Sequence, residues 1–274
     1  MNKTDRLAAA AAGAGIRPLA VEQDLGAITH LMLPRGIAPP APDAARYLRR
    51  IAETARKLVR QSLVKSSVSR SATAVLNAID AIGAELVGLY ETEFAYQRHI
   101  DATFEHALAA VECRKGCSFC CRLKVTATPL EVIRIATTID DIRRLTVLST
   151  ADVIAGLADR ARLARQISCP LLLEGACSAY EVRPLTCRAL LSGSASLCER
   201  QFDAGDTGDD SLRIPSPVAP RLIAASLING QIAALRDLGL ASHPVELISA
   251  LAALVRDPGL FVRWLSREDV FARA

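Results

Sequence analysis

Aromatic side chains are scarce in this chain, at 4% of 274 residues, and alanine and leucine stand in their place. That shortage weighs against a β-sandwich and favours helices. No apolar run reaches the roughly 18 residues of a membrane-spanning helix, so no membrane segment is expected. Glycine-rich nucleotide loops and paired acid/base residues are missing as well, which leaves no catalytic residue to name and weighs against an enzyme. Neither sign of charge dominates: a formal +4 is too mild to argue for nucleic acid. The N-terminus has only the outline of an export signal. Asp5 sits in the would-be basic region, the apolar stretch Leu7–Ile16 is alanine and glycine, and no clean cleavage box precedes Arg17-Pro18. A frayed helix or tail in a cytoplasmic, reducing compartment is the expectation, and a disulfide framework is not.

What the chain does have is eight cysteines confined to one stretch: Cys113, Cys117, Cys120, Cys121, Cys169, Cys177, Cys187 and Cys198. Thiols concentrated at short spacings suit a soft metal ion or an iron–sulfur cluster. Cys117 and Cys120 have the spacing of a metal knuckle. Cys113, Cys117 and Cys120 would share one face of a helix, but Gly116 points to a turn instead. Adjacent residues project differently, so Cys120 and Cys121 are not equivalent ligands of one mononuclear ion. Either one serves a second site, or the site is polynuclear, or one packs as a small hydrophobe. Arg114, Lys115, Arg122, Lys124, Arg183 and Arg188 surround these thiols and would favour thiolates. His99 and His106 lie two steps of seven before Cys113; they are more simply surface or packing residues.

Around the cysteines the pattern reads as mainly α with little β: a helical domain with an inserted cysteine-rich metal-binding module. Residues 1–43, rich in proline, form a loose lead-in with one short helix near Leu25–Met32. Residues 44–112 form long helices. The first, basic over residues 46–70, could meet a protein partner, although a solvated face is the plainer reading. In the second, Val75, Ile79, Ile82, Leu86 and Leu89 make a heptad seam that continues through Phe94, Ile100, Phe104 and Leu108 into Cys113. The cysteine module spans 113–200. Within it, Lys124–Thr128 is the best strand candidate, and Thr128-Pro129-Leu130-Glu131 writes a helix start. That helix runs to about Ile139, and another is expected from Ala151 to Ile167. Residues 201–274 hold an acidic loop, over 202–220, and C-terminal helices near 219–238 and 244–256 that pack on the rest.

The residues from Cys113 onward carry a resemblance. Cys-x3-Cys-x2-Cys-Cys, then Cys169-Pro-Leu-Leu, then Gly-x-Cys177-x2-Tyr180-Glu-x-Arg183-Pro184-x2-Cys187-Arg188, resembles the YkgJ-type cysteine cluster family, described as zinc- or iron-chelating. The likeness covers roughly residues 113–200. It implies a metal or cluster bound by Cys113, Cys117, Cys120, Cys121, Cys169, Cys177 and Cys187, while Cys198 resembles the extra cysteine of one subgroup. Tyr180, Arg183, Pro184 and Arg188 fall in step with the motif, between or beside candidate ligands. Spacing accepts zinc as readily as iron–sulfur. More than four thiols, the adjacent pair and the cations favour a 4Fe–4S cluster. A similar cysteine module occurs in flagellin lysine N-methylases, and Cys113-x3-Cys117-Ser-Phe119-Cys120 also satisfies the radical S-adenosylmethionine signature. Both define the alternative of an S-adenosylmethionine-dependent protein-modifying enzyme. The radical fold needs repeated strand–helix units after the motif, and the chain offers one convincing strand there.

Overall fold

Leu48, Ile51, Ala55, Val59 and Leu63 recur at helical spacing, and they line the buried face of a long helix, α2 (Pro42–Ser67), in the computed structural model. The structure describes residues 5–23, 25–114, 116–203 and 214–272. It is 61% helical and 4% strand, so the mainly α class holds. A short α1 (Asp5–Ala11) precedes α2, and α3 (Ala72–Ile100) follows it, started by the Ser71 hydroxyl accepting from the Ala74 amide. The heptad seam is real: Val75, Ile79, Ile82 and Leu86 are buried. It does not run unbroken into the cysteines. Asp101 leaves helical geometry, and its carboxylate caps a separate α4 (Ala102–Ala109) by accepting from the amides of Thr103 and Phe104.

Beyond the first cysteines, β1 (Thr126–Ala127) leads into α5 (Pro129–Thr138). The expected start is present, with a reciprocal capping box between Thr128 and Glu131. The next helix lies elsewhere than its sequence suggests. Asp140 caps α6 (Asp141–Ile154), and a short α7 (Asp159–Ala164) follows a break at Gly156, whose φ is +73°. Then come β2 (Leu172–Leu173), β3 (Ala176–Cys177), α8 (Leu185–Ala189), α9 (Ala195–Asp203), α10 (Val218–Asp237), β4 (Val245–Glu246), α11 (Leu247–Arg256) and α12 (Leu260–Leu265). The strands form two antiparallel pairs, β1 with β4 and β2 with β3. Most of the expected acidic loop, residues 204–213, lies outside the described residues.

The helix α10 packs along α2 and also meets α3 and α8, so it ties the cysteine-bearing segment to the helical body. By length and mean hydropathy α3 and α10 could each cross a membrane, although Asp80 and Glu85 interrupt the apolar run of α3. In α10, 67% of the apolar window is buried, as in a core helix. Leu171, Ala179, Val182, Leu185 and Ala189 of the cysteine segment join the same core as residues of α2, α3 and α11.

Two expectations are corrected here. Residues 25–32 carry no helix; the lead-in helix is α1 instead, and its Leu7 and Ala11 are buried rather than frayed. The basic face of α2 is not wholly solvated either. Arg56 is buried, and its Nε and Nη2 each donate to Asp237 at 2.7 Å, while Arg60 reaches the same carboxylate at 3.4 Å. A partner cannot use the charge of Arg56.

Candidate metal centre

The first cysteine segment is a turn, not a helix face. Gly116 adopts a φ of +92°, open to glycine at little cost, and the Cys117 amide donates to the Arg114 carbonyl at 2.9 Å. A 3-10 turn over Phe119–Arg122 then carries Cys120 and Cys121. Cys113, Cys117 and Cys120 therefore do not share a helical stripe, and the break at Asp101 takes His99 and His106 off any common stripe with Cys113.

The second segment begins with a tie to the first: the Cys169 amide donates to the Cys121 carbonyl at 2.7 Å. The hairpin of β2 and β3 places Cys177 opposite Leu172. Its two-residue loop, Glu174-Gly175, has positive φ at both positions, as a type I′ turn requires. After it, Arg188 Nη2 donates to the carbonyls of Tyr180 and Glu181, at 3.2 and 2.5 Å, and clamps the turn between Cys177 and Cys187. Pro184 stands at the N-cap of α8, where its fixed φ orders the approach to Cys187. Arg183 lies 4.2 Å over the Tyr180 ring, and among the described residues it forms no ion pair with Glu174 or Glu181.

Glu131 fixes α8 from outside. One oxygen completes the capping box of α5, and the other accepts from the Leu185 amide at 2.8 Å. Burial raises its pKa, and the donors from Thr128 and Leu185 oppose the rise. The box was legible in sequence; the second bond, 54 residues away, carried no local signal.

The last cysteine joins through a buried serine. The Ser192 amide donates to Cys113 Sγ at 3.1 Å, and Cys198 Sγ donates to the Ser192 hydroxyl at 3.1 Å. The helix α9, which bears Cys198, packs on the 3-10 turn of Cys120 and Cys121. Nothing in the sequence singled out Ser192.

All eight cysteines are free thiols. Electrostatic repulsion shows which of them are neighbours. Cys113 feels Cys117, Cys120 and Cys198, whereas Cys187 feels Cys169, Cys120 and Cys177. Cys120 stands between the two groups, hydrogen-bonded to Cys121. That bond is the first cause of its raised pKa, ahead of burial. Burial leads the rise at Cys113, Cys177, Cys187 and Cys198, and it pushes Cys169 up to about 11. These six stay protonated at neutral pH until a metal displaces their protons.

The surrounding cations pull the other way and lose. Arg114 and Lys124 are exposed, Arg122 pairs with Asp203 at 3.5 Å, and Lys115 lies outside the described residues. Arg183 and Arg188 do act on Cys177, Arg183 also acts on Cys120, and Arg162, which the sequence did not single out, acts on Cys169.

As they stand, no three cysteine, histidine or acidic side chains among the described residues close to a metal shell. The chemistry of the site nonetheless fits a metal held by thiolates. Arg162, Arg183 and Arg188 each bury an Nε–H with no acceptor among the described residues, and a buried donor left alone costs about 1–3 kcal/mol. Burial and the neighbouring Arg183 cation also lower the pKa of Arg188. Two guanidiniums close enough to repel one another and three donors unanswered among the described residues, beside thiols, call for an acceptor of negative charge.

Residues 112–201 match the model of the CxxCxxCC family, described as "Putative zinc- or iron-chelating domain". The matched segment contains all eight cysteines and coincides with the stretch that carries the resemblance in sequence. No curated protein and no solved structure matches the chain.

Proposed function

We propose that this chain is an iron–sulfur protein in which Cys120, Cys169, Cys177 and Cys187 hold a 4Fe–4S cluster serving in electron transfer. One observation carries the reading: the three buried, unanswered guanidinium N–H groups on arginines that act on this set of thiols. A cluster brings inorganic sulfides as further acceptors, whereas a zinc ion brings none. When bound, it would supply one-electron chemistry. The chain's own part is to shield Cys169 and Cys187 from water, to hold Cys177 in register with Leu172, and to keep Arg183 and Arg188 against the sulfurs. The S-adenosylmethionine reading gains nothing from the fold. In the described residues after Cys121, the strands form two short antiparallel pairs and no parallel barrel.

Protein purified without oxygen should be brown and carry iron and acid-labile sulfide in equal amounts. A colourless preparation with stoichiometric zinc and no sulfide would reverse the assignment. Arg183→Ala should lower iron affinity by about 10–100-fold, the usual scale for a lost partner of a ligand, with helix content unchanged in circular dichroism. Arg49→Ala, on α2, should leave occupancy as it is. Equal iron in Arg183→Ala and the parent would remove Arg183 from the site.

A further inference from the structure

Away from the cysteines, the lead-in is pinned to α2 and α10 at three points. The Glu22 amide donates to the Asp237 carbonyl at 2.7 Å, and the Ile28 amide donates to Glu53 Oε1 at 2.5 Å. Met32 and Asn229 exchange two bonds, amide to Oδ1 at 2.9 Å and Nδ2 to carbonyl at 3.0 Å. Between the pins lies a cleft of about 500 Å³, with Gly26 and Ala27 of the lead-in on one side and Glu53, Arg56, Lys57 and Arg60 of α2 on the other. That volume falls within the roughly 300–1,000 Å³ of small-molecule sites. Residue 24 lies outside the described residues.

The charges on the wall are unevenly spent. Arg56 gives its fork to Asp237, and Glu53, the one acidic wall residue, is held by the Ile28 amide and lies 3.6 Å from Arg56. Glu22 pairs with Arg267 at 2.7 Å. Arg60 is 33% exposed and has a single 3.4 Å contact, to a carboxylate whose two oxygens already serve Arg56. Lys57 is exposed and makes no ion pair among the described residues, and the side chains of Arg49 and Arg50 extend the same cationic face unpaired in that sense too. We propose that the cleft binds a small oxyanion with more than one negative charge, a phosphate or a dicarboxylate, held between Lys57 and Arg60. Residues three apart on a helix are neighbours, so the ammonium and the guanidinium can converge on one group. Arg60 can turn to it without stranding Asp237, which keeps Arg56. A lone exposed ion pair is worth little, so a singly charged ion gains too little to stay. A cationic ligand finds no unspent carboxylate on this wall. The site is independent of the metal reading.

Full-length, isotope-labelled protein tests this by amide NMR, titrated with inorganic phosphate and separately with malonate, while chloride holds the ionic strength constant. At least one of the two should give saturable shifts at Gly26, Ala27, Lys57 and Arg60. Saturation by phosphate alone assigns a phosphate-bearing ligand, and saturation by malonate alone assigns a carboxylate-bearing one. Lys57→Ala should weaken binding by about 10-fold or more, the scale of a lost charged hydrogen bond, and Arg60→Ala should do the same. Lys65→Ala removes equal charge from α2 outside the cleft and should leave the affinity unchanged. Circular dichroism verifies folding, which exposed Lys57 is not expected to affect. The proposal is overturned if neither anion saturates, if chloride alone reproduces the shifts, or if saturable shifts fall elsewhere on the chain. Equal weakening in Lys65→Ala and Lys57→Ala would also overturn it, since the attraction would then be a diffuse field.

Discussion

Asp237→Ala should destabilise the folded chain by about 3–5 kcal/mol, the cost of stranding a buried cation. The Asp237 carboxylate is fully buried at the end of α10 and takes both Nε and Nη2 of Arg56. Arg56 is 6% exposed and reaches water poorly; without Asp237 it loses its two-pronged counterion and keeps the Glu53 carboxylate at 3.6 Å and the Gly26 carbonyl. A typical domain has only about 5–15 kcal/mol in all, so the loss should appear as a large drop in the denaturant midpoint. The pair's geometry also makes the opposite test possible. Exchanging both partners for apolar residues, as in Arg56→Met/Asp237→Leu, should restore most of the stability, because a buried pair is often no better than well-packed hydrophobic side chains. If Asp237→Ala unfolds at the parent's midpoint, the pair does not hold α2 to α10.

Gly230→Ala should destabilise as well, against the intrinsic preference of helices. In the middle of an exposed helix this substitution gains about 1 kcal/mol. At Gly230 an added Cβ would lie 2.3 Å from the Ala52 carbonyl oxygen and 2.6 Å from Ala55 Cβ. Neither can move without shifting the α2 backbone, and overpacking of this kind costs about 1–3 kcal/mol. The clash outweighs the propensity, so a net loss is expected, and Gly230→Leu should lose more. Thermal unfolding of the two variants against the parent decides it. A Gly230→Ala protein more stable than the parent would show that the two helices do not cross this closely.

Local chemistry was readable where it is local. Thr128-Pro129-Leu130-Glu131 announced α5, the seam of Val75, Ile79, Ile82 and Leu86 announced α3, and the cysteine motif marked the segment that matches a metal-chelating family. What escaped depends on partners far along the chain or on ambiguous breaks. Arg56 looked solvated because its carboxylate lies 181 residues away. Asp101 and Asp140 are N-caps in the middle of apolar periodicity, which hid the break after α3 and the true start of α6. The hairpin turn uses Glu174 at positive φ, where asparagine or glycine would have given a signal. Ser192 reads as an ordinary loop residue until the fold brings Cys113 and Cys198 to either side of it.

The helix α8 has a consequence for the protein's lifetime. It carries Cys187, packs on α10, and has its first amide held by Glu131, so the thiols cannot fall apart without loosening the helical body. Any ion gripped by those thiols in the native chain alone shifts the unfolding equilibrium, by about 4 kcal/mol at a thousandfold excess over its dissociation constant. Cells short of metal should therefore hold little of this protein, since the empty form opens more often and is cleared by proteolysis. Its abundance would report supply.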